Sequence, residues 1–263
     1  MKTHRVLCFG RNDESGNAAI VVDESALAKS ERLAFAQRQD ASATVFVDTN
    51  AAGDRELDYY YPHARSPLCL HATLAASAVF FERFPDIGRT QFVTSMHRQL
   101  LEIERDGDGI FVGVSGQRCP ALAVDIAETA GLLRVEPAAL ASVPRLASIG
   151  SAKLLVEVAT PSVLAALAPD LAGIANWSRT HGISGMYAYC RLRDGVYEGR
   201  NFNHLDPRLE DAATGVAAGA LALSLERSIT LLQGDALGKP CTLLARYNGG
   251  AVQVGGRAIR SAV

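Results

Sequence analysis

Apolar positions along this chain fall into three patterns, each predicting an element type. Short runs with strand periodicity are the commonest. They cover residues 5–10, "GNAAIVVD" (16–23) after the polar turn "GRNDESGN", "ATVFVD" (43–48), "ELDYYYP" (56–62) and "TQFVTS" (90–95). In "RQLLEIERDGDGIFVGVSG" (98–116), "RDGDG" between alternating apolar residues predicts a hairpin. Later strands are expected at "SAKLLVEVA" (151–159), "GMYAYCRL" (185–192) and "YEGRNFN" (197–203), with a final pair around "NGG" in residues 241–260. The second pattern is helical spacing, over residues 25–40 through Leu27, Leu33, Phe35 and Ala36 and over the Ala-rich residues 123–140. Two short helices are expected around Pro169. The third pattern is nearly continuous small and apolar residues, in "PLCLHATLAASAVFF" (67–81) and "EDAATGVAAGALALSLERSITLL" (210–232). Each predicts a long helix buried on all sides, the first stopped near Pro85.

One plan therefore occurs twice: strands, then a buried helix of small residues whose first turn is polar. No residue-level repeat accompanies it. The boundary falls in residues 117–123, giving halves 1–118 and 119–263. The formal net charge of -2, without a Lys/Arg cluster, argues against a nucleic-acid surface or a polybasic anchor. The apolar runs break too early to span a bilayer, and "MKTHRVLCFG" has no signal core, so the expected compartment is the cytoplasm. The 5 cysteines are scattered without a C-x-x-C pair, which points away from a disulfide framework or a metal cluster.

The polar heads of the two apolar helices are where chemistry is expected. A helix N-terminus leaves N–H groups unpaired and carries partial positive charge, a ready anion site. Small residues such as Ala72, Ala213 and Gly215 admit a ligand to the backbone. His71 and Asp211 stand beside these ends as proton-handling groups, suited to removing a proton from a carbon next to a carboxylate. Each residue also has a purely structural reading. Asp211 is an N-cap, His71 a satisfied polar residue, Cys69 a packed thiol, and Thr73 and Thr214 first-turn hydrogen bonders.

Four segments resemble the phenazine-biosynthesis PhzF-like family. "SGNAAIVVD" is similar to its early Gly-Asn strand, and "YPHARSPLCLHATLAASAVFF" to its first helix motif, a Pro followed by Cys-Gly-His-Ala-Thr. "SIGSAKLLVEV" with "LAALAPDL" resembles the middle of its second half, and "GRNFNHLDPRLEDAATGVAAGALALSL" its second helix motif. The resemblance spans residues 16–225 and implies an α+β fold of the diaminopimelate epimerase type: two similar halves, each a β-barrel-like sheet wrapped around a central helix. It implies cofactor-free, metal-free isomerisation or epimerisation of a small carboxylic acid in the cleft between the halves, in a homodimer. Residue by residue, His71 and Asp211 match catalytic positions. Thr214 and Gly215 match the family's substrate-carboxylate turn and Asn17 its early asparagine near the cleft; Cys69, Ala72 and Thr73, in the first helix motif, are further candidate substrate contacts.

Two positions depart from the family pattern. Leu70 replaces the glycine before the histidine, at a cost in room for backbone approach. Ala43, in "ASATVFV", stands where the family has its catalytic glutamate. Asp40 is the nearest acid and the expected replacement, although its shorter side chain needs a different loop path; Ser42 is a poor base unless activated. Three functions follow: an isomerase using His71, Asp211 and Asp40; a binding protein for small carboxylates that has lost the proton chemistry; and a structural scaffold. Ala43 separates the first two, and the polar helix starts have no packing role under the third.

Overall fold

A computed structural model describes residues 1–23, 25–203 and 210–261. The chain divides into two compact units, Met1–Val114 with Val254–Val263, and Ser115–Gln253.

The first unit opens with β1 (Lys2–Cys8) and β2 (Asn17–Asp23), an antiparallel pair. Helix α1 (Lys29–Gln37) crosses to β3 (Ala43–Thr49), which runs parallel to β2. β4 (Arg55–Tyr60) pairs antiparallel with β3 and with the short β5 (Arg65–Ser66). Helix α2 (Leu70–Arg83) then leads to β6 (Arg89–Thr94), parallel to β4, and to the hairpin β7 (Leu100–Asp106) and β8 (Gly109–Ser115). Residues 70–81 of α2 are all buried, as continuous apolarity predicts, and α2 packs on β1, β2 and β3.

The second unit holds α3 (Ile126–Leu133), β9 (Arg145–Ser148) and β10 (Ala152–Glu157). Two helices, α4 (Pro161–Ala166) and α5 (Leu171–His181), cross to β11 (Met186–Arg193), parallel to β10. β12 (Val196–Phe202) pairs antiparallel with β11 and with the short β13 (Glu210–Asp211). Helix α6 (Gly215–Leu225) leads to β14 (Ile229–Gln233), parallel to β12, and on to β15 (Cys241–Asn248) and β16 (Ala251–Gly256), whose residues from Val254 on belong to the first unit. The last strand, β17 (Ala258–Ser261), belongs to the first unit, antiparallel to β1 and packed on α2.

The two units share one wiring: parallel crossover, antiparallel pair, short strand, buried helix, parallel return. A residue-level repeat hides inside it. The Ser42 amide and hydroxyl both donate to the Ala18 carbonyl oxygen, at 3.1 and 2.8 Å. Those of Ser184 both donate to the Ala152 carbonyl oxygen, at 2.7 and 2.8 Å. Both serines anchor the strand after the crossover to the strand before it, although the flanking sequences differ.

Three helices are shorter than periodicity predicts. α1 starts at Lys29, where the Glu31 carboxylate accepts from the Ala28 amide at 2.8 Å. α3 is bounded by the Asp125 cap and by Arg134, which turns left-handed at φ 54°; Pro137 then begins a separate 3-10 turn. α6 ends where Glu226 turns left-handed at φ 50°, and "ITLLQ" is strand rather than helix. The β-branched Ile229 and Thr230 suit the half-buried strand that β12 and β15 leave room for.

Candidate active site

In the first unit, β2, β3 and α2 bring Asn17, Ser42, Cys69 and His71 together. His71 is in the first turn of α2 and is buried, with its carbonyl oxygen held by the Cys8 thiol at 3.1 Å. Its Nε2 lies 3.3 Å from Ser42 Oγ, and its Nδ1 lies 3.3 Å from Cys69 Sγ. The Ser42 hydroxyl has one proton, and its other neighbours, the Ala18 carbonyl oxygen and the Asn17 side-chain oxygen, are acceptors. Ser42 therefore receives a hydrogen bond from Nε2–H, which leaves Nδ1 as the acceptor facing the thiol. Burial lowers the His71 pKa to about 4, so at neutral pH the imidazole is uncharged and its Nδ1 accepts a hydrogen bond from the Cys69 thiol. Thr73 is committed elsewhere. Its hydroxyl lies 2.9 Å from the Cys69 carbonyl oxygen and 2.7 Å from the buried Tyr59 hydroxyl, fastening the start of α2 to β4. Ala72 is fully buried.

In the second unit, Asp211 ends β13 just before α6. Its Oδ2 accepts from the Thr214 hydroxyl at 2.7 Å. Gln233 of β14 donates to the Asp211 carbonyl oxygen at 2.6 Å and accepts from the Thr214 amide at 3.3 Å and the Tyr187 hydroxyl at 2.9 Å. Thr214, whose own side chain makes no cap hydrogen bond, is the N-cap of α6, and Gly215 is its first residue. Asp211 is thus a carboxylate braced beside the helix start rather than its cap, contrary to the structural reading of the sequence.

A family model for phenazine biosynthesis-like proteins (PhzC-PhzF) matches residues 6–262. The chain belongs to this family. It is 27% identical over 230 residues to an uncharacterized isomerase, YddE, of Escherichia coli O157:H7, covering 84% of this chain and 77% of that protein. It is 25% identical over 252 residues to the trans-2,3-dihydro-3-hydroxyanthranilate isomerase of Pseudomonas fluorescens, covering 92% and 88%. Among solved structures it is similar to a PhzF-family phenazine biosynthesis protein of Bacillus anthracis, with TM-score 0.82, 18% identity, and coverage of 100% of this chain and 98% of that one. The fold is the α+β, diaminopimelate epimerase-like one that the sequence motifs imply.

Against the PhzF pattern, the position of the missing glutamate is now concrete. Ala43 is the first residue of β3, paired with Ala19 and 2% exposed, so a methyl group fills a buried place. Asp40 is exposed in the turn between α1 and β3, where its carbonyl oxygen accepts from Arg5. None of the contacts that assemble the His71 cluster includes it. The "HLDPRL" part of the second helix motif (204–209) lies outside the described residues. A cavity of about 740 Å³ opens elsewhere in the first unit, lined by Lys29, Asp48, Arg55 and Arg83, and holds none of the site residues. Among the described residues there is no cluster of three or more His, Cys, Asp or Glu able to hold a metal. No described helix is long and apolar enough to cross a membrane.

Sequence reasoning missed Gln233 and Tyr187, which brace Asp211: Tyr187 lies in a segment read as a plain strand, and Gln233 ends a strand that was read as helix through residue 232. It noted Ser42 but had no register with which to place it against His71.

Proposed function

We propose that this PhzF-family protein is a cofactor-independent isomerase that moves a proton on a small carboxylic acid, amino or cyclic. The observation that carries the proposal is the neutral His71 imidazole held between the Cys69 thiol and the Ser42 hydroxyl at 3.3 Å from each. With Ala43 in the glutamate position, this pair supplies the proton-handling group of the first unit. Cys69 gives a proton from sulfur, its S–H oriented by the hydrogen bond to the neutral His71 Nδ1. Asp211 is the second such group, its carboxylate aligned by Thr214. Proton removal next to a carboxylate leaves negative charge to be stabilised, and the amides at Gly215 and the start of α6, which the Thr214 side chain does not cap, suit a substrate carboxylate. Asn17 serves as a polar substrate contact beside Ser42.

Ala43 favours one alternative, a small-carboxylate-binding protein without turnover. Deuterium uptake distinguishes the two. Amino acids, hydroxy acids and cyclohexadiene carboxylates are incubated with the protein in D₂O and followed by NMR. Uptake from the native protein that falls at least about 100-fold in Asp211→Asn and in His71→Asn supports the isomerase. Ligand-induced shifts without uptake from any acid support the binding protein.

A further inference from the structure

The sheet face that carries Asp211 also carries a buried cation. Strand register sets Asp211 opposite Asn201, Asn201 opposite Tyr187, and Tyr187 opposite Leu155. Paired residues share a face, so these four form one row across β13, β12, β11 and β10. Lys153 lies two residues before Leu155 and therefore on the same face. The other face, with Leu154, Val156, Met186 and Phe202, is apolar core.

Lys153 is 3% exposed. Its neighbour across the strand gap is Gly185, where a Cβ would collide with the Phe202 carbonyl oxygen, so no side chain competes for the space. The ammonium donates to the Ser184 carbonyl oxygen, its one hydrogen-bond acceptor among the described residues. An ammonium has three donors, and a neutral carbonyl does not balance its charge. In the middle of the row, the buried Asn201 side-chain oxygen has no hydrogen-bond partner among the described residues.

Burial lowers the Lys153 pKa to about 8, and the charge of Asp211 opposes that shift. Glu157 of β10 shares the face of Lys153, four residues on, and accepts from the Ser142 hydroxyl at 2.8 Å; among the described residues the elements packed on β10 bring no further anion. α6 has no ionisable side chain, and β9 brings only the exposed Arg145. β11 brings Tyr187, Tyr189 and Cys190, all kept protonated by burial, and the exposed Arg191 and Arg193. Glu210, beside Asp211, is paired with Arg200.

We infer that Lys153 is a positioning residue for Asp211: its ammonium, on the same sheet face, keeps that carboxylate ionised and ready to accept a proton. The consequence for turnover rests on the proposed isomerase; the coupling between the two charges does not.

The test reads each charge in the absence of the other. With carbon-13 in aspartate side chains, the Asp211 titration should move upward in Lys153→Met and stay near its native midpoint in Lys153→Arg. With nitrogen-15 in lysine side chains, the Lys153 titration should move downward in Asp211→Asn. Linkage requires the Lys153→Met and Asp211→Asn shifts to be equal in size. The acid limb of the pH profile for deuterium uptake should rise with the Asp211 midpoint in Lys153→Met. An unmoved midpoint in either single variant overturns the inference. If Lys153→Met does not fold, the Asp211→Asn titration decides alone. A native protein that exchanges no deuterium removes the isomerase reading and leaves both titrations able to decide this one.

Discussion

Burial that holds His71 near a pKa of about 4 has a cost that can be measured. Above its ordinary value of 6.5 the imidazole is neutral in folded and unfolded chains alike. Between 6.5 and about 4 the unfolded chain binds a proton that the folded one refuses, so stability falls as pH falls. The shift corresponds to roughly 3 kcal/mol when complete. Urea unfolding at pH 7 and pH 4.5 should show a loss in the native protein about 2 to 3 kcal/mol greater than in His71→Asn. Equal losses would mean that His71 is solvated and that its cluster is not closed. Lys153 gives the opposite edge of the window. Its folded pKa is also lowered, to about 8 from 10.5, so native stability should rise from pH 8 to 10.5 relative to Lys153→Met. At this scale much of each unit's candidate cluster was legible. "CLHAT" and "EDAATG" name Cys69, His71, Asp211 and Thr214 by type and position. The partners were not legible. Ser42 meets His71, and Gln233 meets Asp211, through strand register, which a local pattern does not encode.

Strands and helices show the same division. The two buried helices were visible because no Asp, Glu, Lys or Arg interrupts residues 70–81 or 215–225, and Pro85 marked the end of the first, but the end of the second was not visible. Glu226 ends α6 through a left-handed turn that an acidic side chain does not announce. Glycine suits that turn better, so Glu226→Gly should raise stability by about 0.5 to 1 kcal/mol, read by urea unfolding. β12 carries a sharper dependence. A Cβ on Gly199 would meet the Tyr187 ring, whose hydroxyl donates to the Gln233 bracket behind Asp211 and Thr214. Gly199→Ala should destabilise by roughly 1 to 3 kcal/mol and lower deuterium uptake together. A destabilised variant with undiminished uptake would show that Tyr187 packs without bracing the site.

Across the whole molecule, the doubled plan was readable from sequence as strands around two apolar helices. Its depth was not. The matching carbonyl anchors of Ser42 and Ser184 emerge only when both crossovers are laid side by side. The return of the last strand to the first unit was also hidden, because β17 is four residues long and its partner β1 lies at the opposite end of the sequence. Ending the chain after Gly256 removes β17 and the bond from the Phe9 amide to the Arg257 carbonyl oxygen. Hydrogen exchange should then lose protection in β1 and α2 far more than in β10 to β12.

That last strand also bears on birth at the ribosome. Domains commonly fold in the order they are made, the N-terminal one first. Here the earlier-made unit lacks an edge of its sheet until residues near 260 have emerged, while the later-made unit already holds everything it needs. β1 has β2 on one side and α2 has β1 to β3 beneath it, but the other edge of β1 stays open until residues 258–261 are made. The segment that carries His71 is thus made early and completed late.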